Sequence, residues 1–266
     1  MMTSISKNKT FLYSALKIII SLCFWVVLWQ LASMYISDDL KLFLPSPVSV
    51  FKSFILLCGT GEFYSKVFAS LMRIVIGFAS GVVAGMLFGI LTSELNIFDT
   101  LFSPAFRVIR AVPVVSFIIL AYLFIDTDNL PIFISFLMVV PLVWQTTHDS
   151  LKSAVPELCE MGKVFGLNRF KLLYKIKLPA VFGELLSVTV SALGFAWKSG
   201  IAAEVICSPE ISLGKSILKA KNNLGFDEVY ALTLTVIILS IIFEIVLKRL
   251  CGIYLERKEK EYGKNR

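Results

Sequence analysis

Gly214-Lys215-Ser216 has the residues that close a phosphate-binding loop, in which backbone N–H groups and a lysine surround phosphate oxygens. The full motif, G-x-x-x-x-G-K, needs an earlier glycine and a buried strand ahead of it, and Pro209 stands where that glycine belongs. The triplet is therefore no nucleotide site. His148 is the only histidine and falls at the end of an apolar stretch, which leaves no serine–histidine–acid relay. Cys23, Cys58, Cys159, Cys207 and Cys251 show no paired spacing, so neither a disulfide framework nor a zinc ligand set follows. The chain is expected to hold no catalytic group, cofactor or metal.

Lys198 and Glu204 are a different matter, because both stand inside a long apolar stretch. Trp197 and Glu204 are seven positions apart, which at 100° per residue brings them within about 20° of one another on a helix. Gly194 and Ile201 share their stripe, whereas Lys198 lies about 100° round from Trp197. Ionisable residues within a membrane span are costly and face a cavity or a partner. Two readings follow. Trp197, Lys198, Ile201 and Glu204 line a translocation path or its gate, or Lys198 and Glu204 pair with charges on neighbouring spans for assembly alone.

The third candidate is the segment from Glu157 to Ala180, where Glu160, Gly166, Ile176, Leu178 and Pro179 form the pattern Glu-x5-Gly-x9-Ile-x-Leu-Pro. Pro156 suits the first turn of a short helix, Gly166 ends it in a left-handed conformation, and Asn168 caps a second helix. Pro179 fits the first turn of the next span, where its missing N–H costs nothing. The expected product is a helical hairpin that presents Leu158, Met161, Val164 and Phe165. Taken alone, such a hairpin also reads as a basic amphipathic loop resting on anionic lipid.

The elements that must carry these groups are membrane spans. The 266 residues are 57% hydrophobic and 17% charged, with a mean hydropathy of +0.80. That excludes an ordinary soluble enzyme and excludes disorder. Crossing a hydrocarbon core takes about 20 apolar residues, so six crossings leave only loops and tails. Stretches with few or no charges place the spans at residues 18–37, 74–93, 111–125, 130–147, 179–207 and 229–247, the fifth being unusual in containing Lys198 and Glu204. A polar segment with Asp38, Asp39, Lys41, Pro45 and Pro47 follows the first span, and Asp126-Thr127-Asp128-Asn129 makes a tight turn into the fourth. The expected fold is all-α: a cytoplasmic tail over 1–17, one six-span domain over 18–250 with its core at about 67–250, and a charged cytoplasmic tail over 251–266.

Charge placement orients this array. With the N-terminus inside, 18 of the 26 lysines and arginines fall on the cytoplasmic side and seven on the other, Lys198 being left within the membrane. Lys7, Lys9 and Lys17 precede the first span, too long to be the core of a cleaved signal. In the second span Gly77, Gly81, Gly85 and Gly89 recur every four residues, a smooth ridge for close helix packing rather than for permeation.

The Glu160 to Pro179 pattern resembles the EAA loop of permease subunits in bacterial ATP-binding-cassette importers, with Glu160-Met161-Gly162 where that family has Glu-Ala-Ala. Leu44-Pro45-Ser46-Pro47, Ser70-Leu71-x-Arg73, Arg110-Ala111-Val112-Pro113, Ala196-Trp197 and Ala202-Ala203-Glu204 are similar to the branch that serves nitrate, sulfonate and taurine. The resemblance spans residues 40 to 250. It implies a multi-pass protein of the bacterial cytoplasmic membrane, not itself an enzyme, working as a homodimer. It also implies ATPase subunits docked on the loop between spans four and five, through Glu160, Met161, Gly162, Phe165, Gly166, Ile176 and Pro179, and an extracytoplasmic solute-binding protein that supplies most of the selectivity. No nucleic-acid partner is expected. The rival class is an ion-gradient-driven transporter or channel using Lys198 and Glu204 as a relay, but the internal repeats such proteins often show are absent from this sequence.

Overall fold

A computed structural model describes residues 2–36, 40 and 42–264, with side chains placed for 16–17, 19–36, 40 and 42–252. Lys7, Lys9, Asp38, Asp39, Lys41 and the charged tail beyond 252 therefore lie outside the described side chains. Every regular element among the described residues is helical: α1 (Met2–Tyr35), α2 (Pro47–Cys58), α3 (Gly61–Glu94), α4 (Asn96–Ala111), α5 (Val114–Tyr122), α6 (Leu130–Ser153), α7 (Pro156–Val164), α8 (Arg169–Leu172), α9 (Leu178–Cys207), α10 (Leu213–Asn222) and α11 (Phe226–Lys264). A π-helical turn, Leu173–Lys177, joins α8 to α9.

The chain divides into two compact units. One comprises residues 1–61 and 217–235. In it Phe43 packs on Phe226 and Trp29 on Tyr230, and the Ser53 hydroxyl donates to Asp227 at 2.6 Å. Ser46 caps α2 by accepting from the Ser49 N–H, with Pro47 in the first turn where its lost donor is harmless.

The second unit, residues 62–216 and 236–266, holds the bundle that positions the candidate residues. Its centre is α6, which buries Leu130, Ile134, Val139, Val143, Trp144 and Leu151. The glycine ridge of α3 lies directly on it. A Cβ placed at Gly77, Gly81, Gly85 or Gly89 would fall 2.7, 2.8, 2.8 or 2.4 Å from the Cβ of Ser135, Val139, Val143 or Thr147 respectively. Both sets advance in steps of four, so α3 and α6 run parallel with their backbones in close approach. On the remaining side α9 packs antiparallel: Gly200 meets Ile74 and Ser135 near one end, and Val181 and Leu185 cluster with Leu151, Met86 and Ile90 near the other.

Because α3 and α6 are parallel, the chain between them must return across the bundle. The expected span over 111–125 does not do this, since α5 has nine residues and reaches only about 14 Å. The return is made by α4 and α5 together, bent by 103° at their junction. The bend follows from Pro113, which bars the preceding residue from helical backbone: Val112 is extended at φ −82, ψ 134. By length and composition α3, α6, the helix Arg169–Cys207 and Phe226–Gly252 can each cross a membrane, and the bent pair makes up to five. The described apolar part of α1, Ile19–Tyr35, is shorter than these.

A second departure lies at Pro179. Pro179 does stand in the first turn of α9, but that turn is not a free helix start: the helix runs on from Arg169 through the π turn. Proline lacks a donor and its ring clashes with the carbonyl four residues earlier. The wider turn, closed by the Leu178 N–H on the Leu173 carbonyl, lets the helix pass through.

Candidate functional site

At one end of the bundle α7 and α8 form a hairpin built around two glycines. Gly166 has φ +75, a conformation that side-chain-bearing residues rarely adopt. Its N–H bonds the Lys163 carbonyl and the Leu167 N–H bonds the Gly162 carbonyl, the paired closure that satisfies a helix C-terminus. Gly162 is where the two arms touch: a Cβ there would lie 2.6 Å from Leu172 and 3.2 Å from Ile176. Asn168 caps α8 by accepting from the Lys171 N–H at 2.9 Å. The outer surface carries Leu158, Met161, Val164 and Phe165, with Val164 86% and Phe165 77% exposed. Apolar groups this exposed on a charged element mark a surface that meets something.

The hairpin is tied to the bundle by charge. Lys177 in the π turn pairs with Glu94 at the end of α3, each about four-fifths buried. Alongside, Lys152 donates to Asp99 at 2.7 Å, and Asp99 also accepts from Ser103. Inward of these, Thr92 accepts from the Trp144 indole N–H and bonds His148 Nδ1, each at 2.9 Å. A cleft of about 610 Å³ opens between hairpin and bundle, with Glu94, Lys152, Glu160, Lys163, Arg169 and Lys177 in its walls. Glu160 thus faces the cleft, and Met161 the outer surface.

At the opposite end the structure gathers residues far apart in sequence. Glu204 is fully buried, and its Oε2 accepts from the Ser70 hydroxyl at 2.7 Å and from the Gly214 N–H at 3.2 Å. Ser70 in turn accepts from the Leu213 N–H at 2.9 Å. Arg73 lies 3.5 Å from Glu204 Oε1, donates to the Ile211 carbonyl at 2.8 Å, and pairs with Asp128 in the turn before α6. A carboxylate at the N-terminus of α10 also meets the positive end of the helix dipole. Gly214 is required here, since a Cβ on it would lie 2.4 to 2.5 Å from Cβ and backbone atoms of Glu204 and Val205.

These positions revise the reading of the candidate pathway. Trp197, Ile201 and Glu204 do share a stripe, but all three are buried within the chain itself. Trp197 donates to the Val236 carbonyl at 3.1 Å and stacks on Phe243, fastening α9 to α11. Of the four candidates only Lys198 faces outward. A relay from Lys198 to Glu204 has no geometric basis, because they occupy different faces and Glu204 is enclosed by its own partners. In the sequence Ser70 and Arg73 stand in a segment marked only by family resemblance, and Gly214 in an incomplete phosphate motif. Their convergence on Glu204 has no signature in any one segment.

A family model described as "Binding-protein-dependent transport system inner membrane component" matches residues 81–258. Among curated relatives, a "Probable ABC transporter permease protein" of Brucella melitensis is 27% identical over 206 residues, 77% of this chain and 83% of the relative. The nitrate import permease protein NrtB of a Synechocystis species is 24% identical over 233 residues, covering 83% of this chain and 82% of its own length. Among solved structures, the inward-facing MetNI methionine ABC transporter contains a chain matched with a TM-score of 0.62 at 15% identity, over 72% of this chain and 95% of that one.

Proposed function

The chain belongs to the family of binding-protein-dependent transport system inner membrane components, the permease subunits of ATP-binding-cassette importers, and from that premise we propose how its parts divide the work. Two copies form the route, each contributing a six-span domain over residues 18–250 with both termini on the cytoplasmic side of the bacterial inner membrane. ATP is hydrolysed in separate subunits that dock on the α7–α8 hairpin. An extracytoplasmic binding protein delivers the solute to the end of the bundle that holds Arg73 and Glu204. The cargo is a small solute of the kind carried by the nitrate import relative.

The observation that carries this reading is the hairpin itself. It is shaped by Gly162 and Gly166, shows Val164 and Phe165 to the outside, and is held to α3 by Lys177 and Glu94. Movement of a docked ATPase is thereby transmitted to the helix that carries the glycine ridge. ATP biases the direction of access only if the hairpin makes different contacts in the two states.

The test is to place a charge on the outer surface. Val164→Asp and Phe165→Asp change residues that touch little of their own chain, so each protein should insert and accumulate. Each should lose co-purification of the ATPase subunits, or keep it and lose the hydrolysis stimulated by loaded binding protein. Normal docking and stimulation in both would leave the hairpin as a surface resting on lipid.

A further inference from the structure

The outward faces of α3 and α11 suit contact with lipid: Ile76, Val83 and Leu87 on one and Ile237, Ile241 and Ile245 on the other are each about half exposed. The outward face of α9 does not. Its line runs Gly183, Ser187, Ser191, Gly194 and Lys198, spaced as neighbours on one helix face, with the exposed Phe195 the one large apolar group beside it. A Cβ at Gly183 or Gly194 would meet nothing within 4 Å, and both serine hydroxyls bond carbonyls of their own helix. Lys198 is exposed and has no ion pair or hydrogen bond among the described residues.

Its depth excludes a simple surface lysine. Lys198 is six residues before Glu204 and 21 after Lys177, about 9 Å and about 31 Å along the axis. It therefore lies between the two polar ends of the bundle. The Cα–Cβ bond tilts toward the helix N-terminus, carrying the side chain away from the nearer polar end and deeper into the apolar section. An ammonium group in that position needs water or a counter-ion. Glu184, the acid on the same line, is about 21 Å away, and its carboxylate accepts from Ser150.

We infer that the Lys198 face of α9 lines the water-filled route between two copies, and that the Lys198 ammonium makes the route selective for a small anion. The inference rests on the two-copy reading above. Two-fold symmetry sets two such ammonium groups on one route, where they repel until an anion lies between them. The field in a narrow, low-dielectric passage concentrates that effect.

The experiment uses the complete permease–ATPase complex in liposomes, with the five native cysteines replaced by alanine and one cysteine introduced as Ser191→Cys. Anionic sulfonatoethyl and cationic trimethylammonioethyl methanethiosulfonates are the probes. Both should label the site, and Lys198→Gln should lower the anionic-to-cationic rate ratio by roughly tenfold, whereas Lys198→Arg should preserve it. Failure of both reagents to label means the face is sealed or in lipid and overturns the inference, and so does a ratio indifferent to Lys198→Gln. The two-copy reading is tested separately, by cross-linking Ser191→Cys between copies. Absence of that cross-link with charge selectivity intact overturns the two-copy reading and upholds Lys198 as the anion-selecting group.

Discussion

The hydroxyl of Ser70 on α3 donates to the fully buried carboxylate of Glu204 on α9 at 2.7 Å, across 134 positions of sequence. The same hydroxyl accepts from the Leu213 N–H, so one small side chain joins three helices.

Ser70→Ala leaves the Leu213 N–H and one carboxylate oxygen short of a partner, and should cost about 1–3 kcal/mol. Arg73→Met removes the charge facing Glu204 and should cost more, about 3–5 kcal/mol, because an uncompensated buried carboxylate remains. Adding Glu204→Gln to Arg73→Met should recover much of that loss. Thermal unfolding of the purified complex measures all three, and a double variant no better than Arg73→Met would mean the pair is not electrostatically linked.

The glycine ridge offers a sharp contrast between equal substitutions. Gly85→Ala places a Cβ 2.8 Å from the Val143 Cβ and 2.9 Å from the Val140 carbonyl oxygen, and should destabilise by about 1–3 kcal/mol through overpacking. Gly183→Ala meets nothing within 4 Å and should be neutral or stabilising by up to about 1 kcal/mol. Gly85→Leu should prevent accumulation altogether. Equal melting temperatures for the two alanine variants would refute the close approach of α3 and α6.

Gly166→Val tests the hairpin without crowding, since no atom lies within 4 Å of the added Cβ. The penalty comes from backbone at φ +75 and should be about 1–2 kcal/mol, confined to the hairpin. Global melting should change little while ATPase docking or stimulated hydrolysis falls. Glu160→Lys, which reverses a charge in the cleft wall, should weaken coupling with the same intact fold.

The Lys177–Glu94 pair should behave as the tie between hairpin and bundle. Glu94→Lys sets two like charges together and should raise the rate at which chymotrypsin cuts between α7 and α9, where Phe165, Phe170 and Tyr174 are exposed. Glu94→Lys combined with Lys177→Glu restores attraction and should return the rate toward that of the original protein. One ion pair at the edge of the bundle is worth only about 1 kcal/mol, so the readout is this local opening rather than the melting temperature.

Much of this architecture is legible in short stretches of sequence because it depends on local physics. The period of Gly77, Gly81, Gly85 and Gly89 requires a close helix contact wherever the partner lies. Gly166 and Asn168 announce a helix end and a helix start by backbone chemistry alone. The 20 uncharged residues from Ile74 to Ser93 state the membrane span by transfer energy.

Other features escaped that reading for equally physical reasons. The charge-free stretch around 111–125 looked like a span because hydropathy does not register a bend, and the returning pass needs α4, whose charged residues masked it. Pro179 marks the first turn of α9, but nothing in the sequence shows that a π turn joins that turn to the helix before it. A helical wheel put Trp197, Ile201 and Glu204 on one stripe, but no wheel says whether that stripe meets a route or a neighbouring helix. Residue types and spacing by themselves determined a helical membrane protein, its glycine ridge and its glycine-hinged hairpin, because each is a property of a contiguous segment. Only the tertiary structure decided that Val139 and Val143 fill the ridge, that Ser70, Arg73 and Gly214 enclose Glu204, and that Lys198 alone of its group faces outward. Those outcomes depend on which helices become neighbours, a balance of packing and buried charge that is settled across the whole bundle.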